Sequence, residues 1–405
     1  MKILALEPFC GGSHQAFFEG WMARSRHTWD FLSLPAHKSS RHIWNSTLWF
    51  AEEVIQRLAK GGDGGKGGTS EGKVGANRNK DSKKGTGAKD EPYDLILCSD
   101  MLNLAEFRGL VPEPIRSLPA VVYLIENQLT CPIRFESERD WHYAYSNLTT
   151  ALSADRLWFN SAFHREDFLN RLPEFMRQLP QELPANLIGR IAEKSSVWYT
   201  GIEAQPARGP RPPGPMRILW VARWEHMQNP ETFFEALKVL KWHGAEFRLS
   251  VLGQQFLEHP PAFDWARQYF YYHIDWWGYQ ANRRDYEDAL AEADVVVSTA
   301  DYEFWGLSLV ETIAAGALPI IPDRLSYPEV LSLAENPNEA KDFFYSGSVQ
   351  ELATRLIHLA DRTRRNDLWH GDPEKARRLV QRFYWENLVP KMDDELAVIA
   401  DKPRG

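Results

Sequence analysis

Short runs of aliphatic and β-branched residues alternate with stretches whose apolar positions recur every three to four residues. In the first half, residues 2–6, 93–98, 120–125 and 157–159 read as buried strands. In the second half, residues 217–222, 247–251, 295–297 and 318–321 do the same. Helical faces follow them. Ala16, Phe17, Gly20 and Trp21 open one, and Phe233, Phe234, Leu237 and Leu240 form another. Leu307, Val310, Ile313 and Ala314 form a third. Asn229-Pro230-Glu231 has the order of an N-cap, N1 and N2, and Ser13 is expected to cap the first helix. Helices are also expected from Asn160-Ser161 through Leu169, over 349–359 and within 374–400.

This strand–helix alternation stands on both sides of a Pro-rich stretch, 205–215. It predicts an α/β protein of two doubly wound, Rossmann-like domains facing across a cleft. The first covers 1–204, the linker 205–215 and the second 216–385, with a C-terminal helix in 386–405 that could pack back on the first domain. At 405 residues with 43% hydrophobic content, two cores are affordable to the chain.

Residues 60–91 break the pattern. Ten glycines and almost nothing apolar predict a disordered insert inside the first domain. Its eight Lys/Arg and five Asp/Glu give +3, so a formal charge of −8 leaves about −11 on the rest. So acidic a body disfavours broad, non-specific nucleic-acid binding, and any RNA contact must be local. One local candidate is Arg24, Arg26, His27, His37, Lys38, Arg41 and His42, interleaved with Trp29 and Phe31. Such a stretch could bind a polyanion, though it is more often a solvated face. Cys10, Cys98 and Cys131 have neither metal-ligand spacing nor a disulfide framework, which fits a reducing cytosol. No run reaches membrane-spanning length, so a cytoplasmic protein is expected.

The chemistry concentrates at 293–311, a strand, a loop and a helix start. Loops at the carboxyl ends of such strands bind ligands, and a helix N-terminus suits phosphate. Glu303 lies in the loop and Glu311 about one turn into the helix. Carboxylates accept hydrogen bonds from vicinal hydroxyls, as a sugar or ribose presents; two solvated acids on a surface helix is the alternative. Gly11-Gly12 permits close backbone approach of a ligand, but with no Gly-x-Gly-x-x-Gly and no P-loop lysine it supports neither NAD nor ATP. Glu126-Asn127-Gln128 places polar groups at another strand end.

The Glu303/Glu311 spacing resembles the Glu-x7-Glu motif of retaining GT-B glycosyltransferases of family 4 type. Taken with Glu-Pro-Phe-Cys-Gly-Gly-Ser-His14, Glu126-Asn-Gln-Leu129, Glu138-Arg-Asp140, Phe159-Asn-Ser161, Arg223-Trp-Glu-His226 and Tyr327-Pro-Glu329, the chain resembles the tRNA-queuosine α-mannosyltransferases. The resemblance spans nearly everything except 60–91. It implies GDP-mannose as donor, with no cofactor beyond that substrate, and queuosine in the anticodon of an aspartate tRNA as acceptor. It also implies that Glu303 and the backbone of Phe304, Trp305, Gly306 and Leu307 hold the donor sugar and that Glu311 holds the ribose. Arg223 and Gln228 fall at the pyrophosphate, and Glu303 and His14 take the catalytic places. Gly11, Gly12, Ser13, Glu126, Asn127 and Gln128 fall on the acceptor side. The chain departs from the family at Ile125 and Tyr302, where histidines are usual, at Cys131, where a tyrosine is usual, and at Gln228, where a lysine is usual. Without that lysine, Arg223 is left to neutralise the diphosphate. No Asp-x-Asp cluster stands in the chain, so metal independence is expected. Transfer to a lipid or small molecule, or a catalytically weak RNA- or nucleotide-binding relative, are the alternatives.

Overall fold

Parallel strands need a crossover between each pair, and the helices supply it in both halves. The computed structural model describes residues 1–36, 45–62, 93–130, 140–184, 186–205 and 211–401. The first sheet holds β1 (Lys2–Cys10), β2 (Thr28–Pro35), β3 (Leu95–Ser99), β4 (Ala120–Leu124), β5 (Arg156–Phe159) and β6 (Ser195–Val197). The second holds β7 (Met216–Val221), β8 (Phe247–Leu252), β9 (Ile274–Gly278), β10 (Val295–Val297), β11 (Leu318–Pro322) and β12 (Phe344–Tyr345). Their orders are β2-β1-β3-β4-β5-β6 and β12-β11-β10-β7-β8-β9, with parallel pairing throughout the described ladders. Continuous apolar runs such as Val295–Val297 are buried because helices cover both faces of such sheets.

The helix Pro230–Trp242 begins as its sequence indicates: the Asn229 side chain accepts from Thr232 N at 3.3 Å, and Phe233, Phe234, Leu237 and Leu240 are buried. Two local expectations are corrected. β1 runs on to Cys10 because Glu7 and Cys10 still pair with β2, across a register shift. Ser13 is not the cap of the first helix, Gly12–Met22; Gly11 is, and no side chain caps it. A Cβ on Gly11 would come 2.6 Å from Ala36 Cβ, and Gly12 sits at φ +54°, so two glycines make the turn and leave Ser13 in its first helical turn.

The last helix, Trp385–Ala400, lies on the first sheet. Trp385, Leu388, Val389, Met392 and Leu396 share one buried cluster with Ile3, Ala5, Phe17, Phe18 and Trp21. Asp393 is buried there and fully satisfied: it accepts from Trp21 Nε1 (2.8 Å), Ser25 Oγ (2.9 Å) and Arg26 N (2.8 Å). Arg24, Arg26 and His27 of the basic stretch are engaged by Glu203, Asp394 and the Asp393 carbonyl. His37, Lys38, Arg41 and His42 lie outside the described residues, as do Cys131, the linker residues 206–210 and most of the expected insert. The helix Ser46–Gly62 continues through the insert's first three positions, 60–62.

Candidate active site

Four neighbouring strands of the first sheet deliver polar groups to the cleft. β1 carries Glu7, whose Oε2 lies 3.1 Å from Nδ1 of His14 on the first helix. Both are buried. Burial disfavours the His14 cation, but Glu7, with Asp100 and Glu126, outweighs it and pushes His14 up to about 9. Asp100 follows β3; its Oδ1 accepts from Ile125 N at 2.9 Å, and burial pushes its carboxyl up to about 7. Beyond β4, Asn160 Nδ2 donates to the Ile125 carbonyl (2.9 Å) and Gln128 N donates to Asn147 Oδ1 (3.1 Å). Asn127 Oδ1 accepts from Thr130 N and Oγ1, both at 3.1 Å. The loop after β4 is thereby held at three points.

The facing loop follows β10. Gly306, at φ +72°, caps the helix Leu307–Ala314 in the left-handed region that suits glycine. Glu303 Oε1 accepts from the amides of Phe304 (3.1 Å) and Trp305 (3.3 Å), so this acid fills its own loop's donors. Burial raises the Glu303 carboxyl, against the lowering influence of Arg223 and the loop amides. The Phe304 ring stacks on His164 at 3.8 Å, and Trp305 stacks on Tyr199 at 4.8 Å. Burial pulls His164 down to about 3, so it packs as a neutral ring. These aromatic side chains join the two domains.

Between the loops lies a cavity lined by Ser13, Ile125, Glu126, Asn160, Thr200, Arg223 and residues 302–307. Arg223 reaches Glu126 at 3.2 Å across it and Glu225 at 3.6 Å beside it. Burial raises Glu225, Arg223 lowers it, and Glu126 and Glu303 add to the rise. Among the described residues, no group of three or more His, Cys, Asp or Glu is placed to hold a metal ion, and no helix is long and apolar enough to cross a membrane.

Of the residues singled out from sequence, Ser13, Glu126, Arg223, Glu303, Phe304, Trp305, Gly306 and Leu307 meet at this cavity. Gly11, Gly12, His14, Asn127 and Gln128 are not among its lining residues. Gln228 is buried, with Nε2 3.5 Å from the Tyr302 carbonyl, and does not line the cavity. Glu311 is also outside the lining: its oxygens accept from Tyr286 OH (2.6 Å) and Arg283 Nη2 (3.1 Å). The acids at 303 and 311 thus face different partners. Sequence reasoning missed Thr200 and Asp100 and gave Asn160, quoted only within Phe159-Asn-Ser161, no place in the site, although Asn160 and Asp100 each follow a strand in the way Glu126 does. It also missed the role of Glu329, whose carboxylate accepts from Ala162 N (2.8 and 3.0 Å), Phe163 N (3.2 Å) and Tyr199 OH (2.8 Å). That carboxylate fastens the second domain to a helix N-terminus of the first.

Known proteins share this architecture. The chain superposes on HepE of Anabaena, solved with UDP, with a TM-score of 0.63 at 13% identity, covering 98% of this chain and 100% of that one. It superposes on sucrose-phosphate synthase of Thermosynechococcus elongatus with a TM-score of 0.69 at 13% identity, over 98% and 99% of the two chains. Residues 201–369 match the family of glycosyl transferases group 1. The molecule is a glycosyltransferase of the GT-B fold. Residues 2–62 and 81–202 match the N-terminal domain of tRNA-queuosine alpha-mannosyltransferase. The Drosophila melanogaster tRNA-queuosine alpha-mannosyltransferase is 28% identical over 340 residues, 81% of each chain. Along both domains the chain is thus similar to the tRNA-queuosine alpha-mannosyltransferase family.

Proposed function

We propose that the protein transfers mannose, with retention, from GDP-mannose to queuosine in the anticodon of an aspartate tRNA. The match along 81% of the Drosophila enzyme, through both domains, carries this reading. In it, Arg223 leaves Glu126 and Glu225 to meet the donor diphosphate, and the N–H groups at the start of the helix Leu307–Ala314 add to it. Both offset the charge that develops on the leaving group. Glu303 turns from its own loop amides to the sugar hydroxyls, freeing those amides for the donor. Glu311, already aligned by Tyr286 and Arg283, accepts from the ribose. His14, cationic through neutral pH, acts as a hydrogen-bond donor and electrostatic stabiliser rather than as a base. The acceptor hydroxyl attacks from the first domain, and its proton leaves on the diphosphate. This chemistry needs no metal, so chelator should leave the rate unchanged.

The position of Gln228 favours a second reading, a catalytically weak relative, because a neutral side chain turned to a backbone carbonyl adds nothing to the diphosphate. Calorimetric titration with GDP, UDP and ADP tests the donor assignment. GDP should bind most tightly; a preference for UDP would replace the donor.

A further inference from the structure

Of the buried polar atoms on the acceptor side with no partner among the described residues, Asn127 Nδ2 among them, two belong to residues that adjoin Ser13 and Ile125 of the cavity lining. They are Nε2 of His14 and Oδ2 of Asp100, on residues 3% and 2% exposed. Their other atoms are occupied, His14 Nδ1 by Glu7 and Asp100 Oδ1 by the Ile125 amide. Leaving such atoms unpaired in a folded interior is costly, and a bound group that pairs with them recovers the cost. The two residues are electrostatic neighbours, since each shifts the other's proton affinity. β3 lies between β1 and β4, so Asp100 sits between the Glu7–His14 pair and the loop after β4. Ser13, next to His14, and Ile125, bonded to Asp100, both line the cavity.

The two free atoms differ in kind. With Nδ1 held by a carboxylate and the ring cationic, His14 Nε2 presents an N–H donor. Asp100 Oδ2 presents an acceptor. A hydroxyl both accepts and donates, so one hydroxyl satisfies both atoms at once. We propose that Asp100 is an acceptor-binding residue, which with His14 clasps a hydroxyl of the molecule to be glycosylated: His14 Nε2–H donates to the oxygen, and the hydroxyl donates to Asp100 Oδ2. The ligand class is an alcohol; its identification with the queuosine diol rests on the reading above. Glu7, Glu126, Tyr143 and Cys98 are the other titratable groups around this pair, and Glu7 neutralises the His14 cation. Of the two, Asp100 is therefore the member whose charge changes near neutral pH.

Asp100→Asn keeps an oxygen for the Ile125 amide and removes only the free carboxylate oxygen. The experiment compares the affinity of the full chain for an aspartate tRNA carrying queuosine with that for the same tRNA carrying guanosine at that position. Wild type should prefer the queuosine tRNA. In Asp100→Asn that preference should fall about tenfold or more, the loss of one charge-assisted hydrogen bond, while the affinities for guanosine tRNA and for GDP-mannose stay within about twofold. A preference kept in Asp100→Asn overturns the assignment of Asp100 and leaves the queuosine reading intact. Equal loss of GDP-mannose binding shows that Asp100 only supports the loop after β4, and also overturns it. A wild type without preference removes the queuosine reading, and this inference with it.

Discussion

Arg223 of the second domain and Glu126 of the first meet across the cleft, Nη2 to Oε1, at 3.2 Å. The cation that suits a diphosphate is therefore held by a carboxylate of the opposite domain. Glu225 holds it from the near side. Donor binding has to exchange these contacts for phosphate oxygens. Glu126→Gln should tighten GDP-mannose binding by roughly two- to fivefold at low salt, the scale of a partly exposed ion pair. The gain should shrink as salt is added. Titration calorimetry at two ionic strengths reads both effects, and weaker binding in the variant would show that Glu126 guides Arg223 rather than competing with it.

The acids around Arg223 also set a pH dependence. Burial raises the carboxyls of both Glu303 and Glu225 from their ordinary values. An arriving diphosphate raises them further, so binding takes up protons and strengthens as pH falls. GDP-mannose should bind more tightly as pH is lowered into the range where these raised carboxyls take up protons. Glu225→Gln should flatten the profile. Affinity that instead grows with pH would place the diphosphate away from these acids.

Asp100 makes a prediction about stability. Its carboxyl is raised from 3.8 to about 7 in the folded chain. The folded state therefore holds the proton more tightly than the unfolded one. Stability attributable to this group is present below about pH 4 and lost as pH rises through about 7. His14, raised from 6.5 to about 9, loses its contribution later, between those two values. Asp100→Asn should raise Tm at pH 8 and leave it nearly unchanged at pH 4, a gain on the order of 1–4 kcal/mol where the charge is buried. Thermal melts at the two pH values check this, and equal shifts at both would contradict the buried-charge account.

Much of this architecture is legible in the chain itself. Val295–Val297 and Leu307–Ala314 announce themselves by period, and Asn229-Pro230 by helix-start chemistry. Glu7 misleads, because a charged residue reads as the end of a strand; it stays in β1 and turns its carboxylate to His14. Ser13 misleads as well, since cap propensity is outweighed by two glycines that fit the turn. Glu329 could not be assigned from sequence at all: its amide partners lie 167 and 166 residues away, and only the closed cleft unites them. The same holds for Glu311, whose ties to Arg283 and Tyr286 depend on how two helices pack.

That long-range contact can be tested through Glu329→Ala, which leaves two backbone N–H groups and the Tyr199 hydroxyl without their acceptor. Removing such a partner costs about 1–3 kcal/mol. Tm should drop by a few degrees, and small-angle scattering should give a larger radius of gyration as the domains part. An unchanged radius would mean that the aromatic stacking of Phe304 and Trp305 holds the cleft without it.

The most direct test of the whole account is transfer itself. Purified protein is incubated with GDP-mannose and an aspartate tRNA carrying queuosine, and the digested nucleosides are weighed by mass spectrometry. The account predicts a queuosine heavier by one hexose residue, formed by wild type, strongly reduced in Arg223→Ala, and absent when guanosine replaces queuosine. Unmodified queuosine with active, GDP-binding protein would contradict it.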